Sequence, residues 1–131
     1  FELACNAVLL DDIEPFTIVC VLWENELRLL EFVWDGSKKH LKLLPLQPTI
    51  WSSSTLYTDK MKSLRQDWFR EWFIGKGLNP ENVLEFHKKG GLGFPEVDVF
   101  MRREHVGTVS ITQVKETDNK IEMKYFPFPL N

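Results

Sequence analysis

Between Tyr57 and Ile74, the residues Met61, Leu64, Trp68, Phe69, Trp72 and Phe73 fall at i, i+3, i+7, i+8, i+11 and i+12. That spacing lays six large apolar side chains along one stripe of a helix, which must be buried against another element. Thr58 is placed to cap this helix, Asp59 suits its positive end, and Gly75 or Gly77 can terminate it. A second, shorter helix is framed by Asn79 as cap, Pro80 at its first position and Gly90-Gly91 beyond its end, with Val83, Leu84 and Phe86 as its apolar residues.

The flanking segments have the other period. Phe16 to Trp23 has the β-branched and aromatic content of a strand buried on both faces. After a turn at Glu24-Asn25-Glu26, Leu27 to Trp34 returns antiparallel. Asp35-Gly36 marks a hairpin, and His40 to Leu44 adds a third strand before Pro45 and Pro48. Late in the chain, Val106 to Val114 and Lys120 to Phe126 alternate around Glu116-Thr117-Asp118-Asn119. They predict a second antiparallel pair with one face to pack and one to hydrate, stopped by Pro127 and Pro129. Leu92 to Glu104 reads as a loop with an ordered turn at Val97 to Met101. Phe1 to Leu10 is apolar without a clean period and is assigned as a strand. Meander, two helices and hairpin, with no βαβ alternation, give an α+β fold.

With 131 residues the chain is expected to be one domain, or the C-terminal portion of a larger single domain. It begins at Phe1 without an initiator Met, which fits a fragment. The longest apolar run is strand-sized, so no membrane-spanning helix is predicted, and the absence of a secretory leader makes the cytoplasm the expected location. A net charge of −3 with interspersed signs gives no attraction for a phosphate backbone, so nucleic acid is not an expected partner. Lys38, Lys39, His40 and Lys42 read as a solvated strand edge.

Chemistry is sparse. His40, His87 and His105 are far apart and make no ligand-spaced motif, so neither a metal nor any other cofactor is expected. Gly90-Gly91-Leu92-Gly93 follows a helix and lacks the Lys-Ser/Thr ending of a phosphate loop; it reads as a helix end. Cys5 and Cys20 are expected to be free thiols, Cys20 in the core and Cys5 less constrained, and neither has an assignable base. The unusual polar run is Trp51-Ser52-Ser53-Ser54-Thr55. Its hydroxyls either cap the long helix or form a site wall, with Ser52 and Ser53 as candidates, where hydroxyls, N–H groups and dipole could hold an oxyanion.

That run, continued by Leu56-Tyr57, resembles the mid-chain segment of NRDE proteins of the transport-and-Golgi-organisation type. Glu14-Pro15-Phe16-Thr17 followed by Asp35-Gly36 resembles that family's Pro-Phe strand and hairpin, and Gly107-Thr108-Val109-Ser110-Ile111-Thr112 resembles its late Gly-Thr-Arg-Ser strand. Ser53 stands where many members have Asn, and Val109 where they have Arg.

The resemblance implies part of a layered αββα fold related to N-terminal-nucleophile hydrolases, with the nucleophilic Cys and the Asn-Arg-Asp-Glu run upstream of this chain. Three roles follow from it. The first is part of an amide or thioester hydrolase, which this chain alone would not perform. The second is a non-catalytic binder or chaperone for a small molecule such as haem or a lipid. The third is a structural or interaction domain whose sheet face seeks a complement, either the missing N-terminal part or a second copy.

Overall fold

The computed structural model describes residues 1–23, 25–53, 56–118 and 120–128. Its elements run α1 (Glu2–Ala7), β1 (Phe16–Leu22), β2 (Arg28–Trp34), β3 (Lys39–Leu44), α2 (Asp59–Lys76), α3 (Pro80–Lys89), β4 (Ser110–Thr117) and β5 (Lys120–Pro127). The fold is α+β, with a three-strand antiparallel sheet, two helices and an antiparallel hairpin in the expected order. The chain divides into two compact units, Phe1–Thr49 and Ile50–Asn131.

In the first unit β2 is central, pairing Ile18 with Phe32 on one side and Phe32 with Leu41 on the other. Asp35 closes the β2–β3 turn: its Oδ1 accepts from Ser37 N at 2.8 Å and Lys38 N at 2.7 Å, and Gly36 takes φ +92°. Such a positive φ is freely adopted by glycine. Cys5, Leu10 and Phe32 form the core, with Phe16, Trp34 and Leu41 packed around it.

Two expectations change here. The opening segment is a six-residue helix rather than a strand, lacking a side-chain cap and held by Cys5 against the sheet. Strand β1 is not buried on both faces, for Ile18, Val19 and Val21 are all exposed on this outer strand. The cysteines exchange roles as well, Cys5 being buried and Cys20 only half-buried, both free. Of the expected β1–β2 turn, Glu24 lies outside the described residues.

In the second unit the caps stand where the sequence puts them. Thr58 accepts from Met61 N, Asn79 accepts from Asn82 N, Pro80 opens α3, and Gly77 and Gly90 follow the two helix ends. The aromatic stripe of α2 packs on α3. Phe86, 1% exposed, meets the rings of Phe69, Phe73 and Trp72 edge-on or tilted at 5.5–5.9 Å. Trp68 and Trp72 are consequently half-buried, not enclosed. Trp72 also donates its indole N–H to Asn82 O at 3.1 Å.

The strand expected from Val106 begins at Ser110. Residues 106–109 run beside 101–102 instead, through the Arg102–Gly107 bridge and the Thr108 N to Met101 O bond of 2.8 Å. Pro127 is the last residue of β5, and Pro129 lies outside the described residues.

Candidate interaction surface

Strands β4 and β5 pair in a continuous register from Ser110–Pro127 to Thr117–Lys120, reversing at Asp118, φ +52°. Period-2 alternation divides the hairpin into two faces. The face with Ile111, Gln113, Lys115, Glu122, Lys124 and Phe126 turns toward α3. Gln113 donates to Pro80 O at 2.7 Å, and the Lys88 ammonium lies 5.3 Å from the centre of the Phe126 ring. Toward the tip this face is ionic: Lys115 Nζ sits 2.8 Å and Lys124 Nζ 3.3 Å from the Glu122 carboxylate. Hydrogen bonds from both amines, Lys115 first, hold the Glu122 pKa below the usual carboxylate range.

The opposite face is open and carries most of the exposed apolar residues of the arm, together with Thr112 and with Glu116 opposite Ile121. Val114 opposes Met123 and Thr112 opposes Tyr125, with Ile121 beyond them. Met123 is 70% exposed, Tyr125 62%, Ile121 57% and Val114 56%. Alternation was expected to give one face to pack and one to hydrate, and the exposed face is the one that carries Val114, Ile121, Met123 and Tyr125. The reason is anchoring. Ile111 and Phe126 seat only the base of the arm, Phe128 stacks edge-on against Phe100 at 5.0 Å, and the segment from Lys120 to Tyr125 is exposed throughout. An isolated two-strand ribbon is marginal in water, so an arm built this way gains from a further layer or strand.

The residues singled out for chemistry sit elsewhere. Ser52 is half-buried and Ser53 exposed, both in the non-helical segment before α2, while Ser54 and Thr55 lie outside the described residues. Thr58, not Ser52 or Ser53, caps α2. His40 does have a carboxylate partner, Asp35 Oδ2 at 2.7 Å, an exposed pair that ties β3 to its own turn. His105 lies 3.6 Å from Glu104 on the surface. Burial, then the nearby Arg65 charge, lowers the His87 pKa. Among the described residues no group of three His, Cys, Asp or Glu could hold a metal ion. Gly90 acts as the end of α3, and the N–H of Leu92 in the glycine loop is taken by Asp98 Oδ1 at 2.9 Å, the place a bound phosphate oxygen would need.

One functional-looking residue escaped the sequence reading. Arg65, 6% exposed, lies on the apolar side of α2, four residues from both Met61 and Phe69. Its Nη2 donates to Asp98 O at 2.6 Å and Val97 O at 3.3 Å, its guanidinium stacks 3.8 Å over the Tyr57 ring, and its Nε has no hydrogen-bond partner among the described residues. Burial pushes its pKa down. The signal was available, since an arginine at i+4 within an apolar stripe has to be satisfied by something.

No described helix is long and apolar enough to cross a membrane. No family model, curated protein or solved structure matches this chain.

Proposed function

We propose that the chain is a non-catalytic interaction module that associates through the β4–β5 arm, and that the partner its surface fits is a second copy of the same arm. The observation that carries this reading is the open apolar face of Val114, Ile121, Met123 and Tyr125 on a ribbon whose tip is uncovered on both sides.

The outer edge of β5 is a template for strand addition. Antiparallel pairing of β5 with its own copy, centred on Met123, puts Glu122 opposite Lys124 of the second copy and Ile121 opposite its Tyr125. The charges then complement across the twofold on one face, and the apolar residues of both arms merge into one surface on the other. Centred on Glu122, two carboxylates face each other and Lys120 meets Lys124; centred on Ile121, Lys120 again meets Glu122, but only residues 120–122 of the two strands overlap. Edge lysines usually discourage pairing, but the alternation Lys120, Glu122, Lys124 disfavours the offsets centred on Glu122 and Lys124 and favours the one centred on Met123, which also overlaps residues 120–126 of both strands.

The resemblance to NRDE proteins suits the same role, because the sheets of a layered domain present apolar faces to a neighbouring layer. A hydrolase role draws no comparable support, since Cys5 is buried and Cys20 sits on a strand.

Light scattering over a concentration series tests the proposal. The chain should pass from monomer to dimer as concentration rises, and Met123→Pro, which removes an edge N–H, should keep it monomeric with circular dichroism unchanged. A monomer at every concentration into the millimolar range would refute homotypic pairing.

A further inference from the structure

The end of α3 and the loop that follows it form a cleft of about 450 Å³, bordered by Lys88, Lys89, Pro95, Asp98, Phe100 and Arg102 with the glycines Gly90 and Gly93. It lies within the size range of small-molecule sites. Its charge balance is uneven. Glu85 is taken up by Lys89 at 2.6 Å, with Lys88 farther away at 3.7 Å. The carboxylate of Asp98 is turned inward to Leu92 N–H, so closely that a side chain at Gly91 would collide with it, and Arg65 stands behind the Asp98 backbone carbonyl. Lys88, Lys89 and Arg102 against the one bordering carboxylate, Asp98, leave the rim positive; both lysines also draw on Glu85, while Arg102 enters no ion pair among the described residues. The negative end of α3, equivalent to about half a charge, offsets only part of that.

Arg102 is the least committed of these groups. Its backbone is fixed twice, by N–H to Pro95 O at 2.7 Å and by the bridge to Gly107. Its exposed guanidinium enters no ion pair or hydrogen bond among the described residues. A fixed backbone carrying a free five-donor fork is suited to a bidentate oxyanion. Beside it Pro95 and Phe100 supply an apolar wall, and Phe100 is steadied by its edge-on contact with Phe128.

We infer that this cleft binds a small oxyanion carrying a flat apolar body, with the Arg102 guanidinium gripping the anion, Lys88 adding charge, and Phe100 with Pro95 contacting the body. The role of Arg65 is positioning: it holds the Val97 and Asp98 carbonyls, and the Asp98 carboxylate is engaged by Leu92 N–H.

Titration of the isotopically labelled full chain with phenyl phosphate, followed by amide NMR, tests this. Saturable shifts are expected at Gly90, Gly93, Phe100 and Arg102, weakening with added salt, and Arg102→Gln should weaken binding about tenfold or more while leaving the other amide positions unchanged. Benzyl alcohol should bind far less than phenyl phosphate, and inorganic phosphate should also bind less. Absence of saturable shifts, equal binding of benzyl alcohol, equal binding of inorganic phosphate, or an Arg102→Gln chain that binds as well as the parent would each overturn the assignment. Light scattering of the same samples separates this outcome from that of arm pairing, because none of the four residues named for the ligand belongs to β5.

Discussion

The side-chain amide of Gln113 donates to the carbonyl of Pro80 at 2.7 Å, joining the middle of β4 to the first residue of α3. It is a polar bond on the side of the hairpin that faces the helix, and it helps set which way the apolar side looks. Gln113→Ala should lower stability by about 1 kcal/mol, because the freed carbonyl is at the surface and can be hydrated. Urea denaturation measures the change, and a loss several times larger would mean that Gln113 supports more than this joint.

Phe86 is the residue on which the second unit turns, being 1% exposed and in ring contact with Phe69, Trp72 and Phe73. Phe86→Ala should cost about 3–5 kcal/mol through lost burial and the cavity left behind. Trp68→Ala should cost clearly less, since Trp68 is half-buried. Equal losses at the two positions in parallel denaturation curves would contradict this packing.

Removing Arg65 should be costly for a different reason. Arg65→Ala leaves the Val97 and Asp98 carbonyls without their donor and removes the stack on Tyr57, an expected loss of about 2–4 kcal/mol. Arg65→Lys should recover only part of it, because an ammonium cannot reproduce the planar stack and both bonds. Full recovery by lysine would show that charge alone matters at this site.

The caps Thr58 and Asn79-Pro80, the Asp35-Gly36 turn and the two periods were legible because each depends on a few adjacent residues. Helix α1 was not: six residues give no period to read, and its place depends on Cys5 meeting Phe32 across the fold. The alternation of β4 and β5 was readable, but its sidedness was not, since the side that α3 covers is decided by tertiary anchors such as Gln113 and Phe126. Strand β1 misled for a related reason. A continuous Phe16–Leu22 apolar run resembles a doubly covered strand, yet it lies at the edge of its sheet. Ser52 and Ser53 stood out by composition alone, whereas Arg102 and Lys88 come together only through the return of the chain to the end of α3.

Asp35 gives the first unit a defined response to acid. The hydrogen bond from His40, followed by the N–H groups of Lys38 and Ser37, lowers its pKa from 3.8 to about 2. A carboxyl depressed in the folded state contributes stability that is complete above its unfolded pKa and lost as pH falls through its folded one. The stability gap between the parent and Asp35→Asn should therefore be constant above about pH 5 and close between about pH 4 and 2. A gap that persists unchanged at pH 2 would show that Asp35 is not the titrating group.

Pairing of β5 with its own copy in the register centred on Met123 makes a charge exchange between Glu122 and Lys124 decisive. Sedimentation velocity at matched concentrations should show the parent as a dimer. Glu122→Lys should be a monomer, since it places lysines opposite each other across the twofold. The Glu122→Lys, Lys124→Glu double variant, which restores opposite charges at both crossings, should return to a dimer. A monomeric parent, or a double variant no better associated than Glu122→Lys alone, would contradict the account.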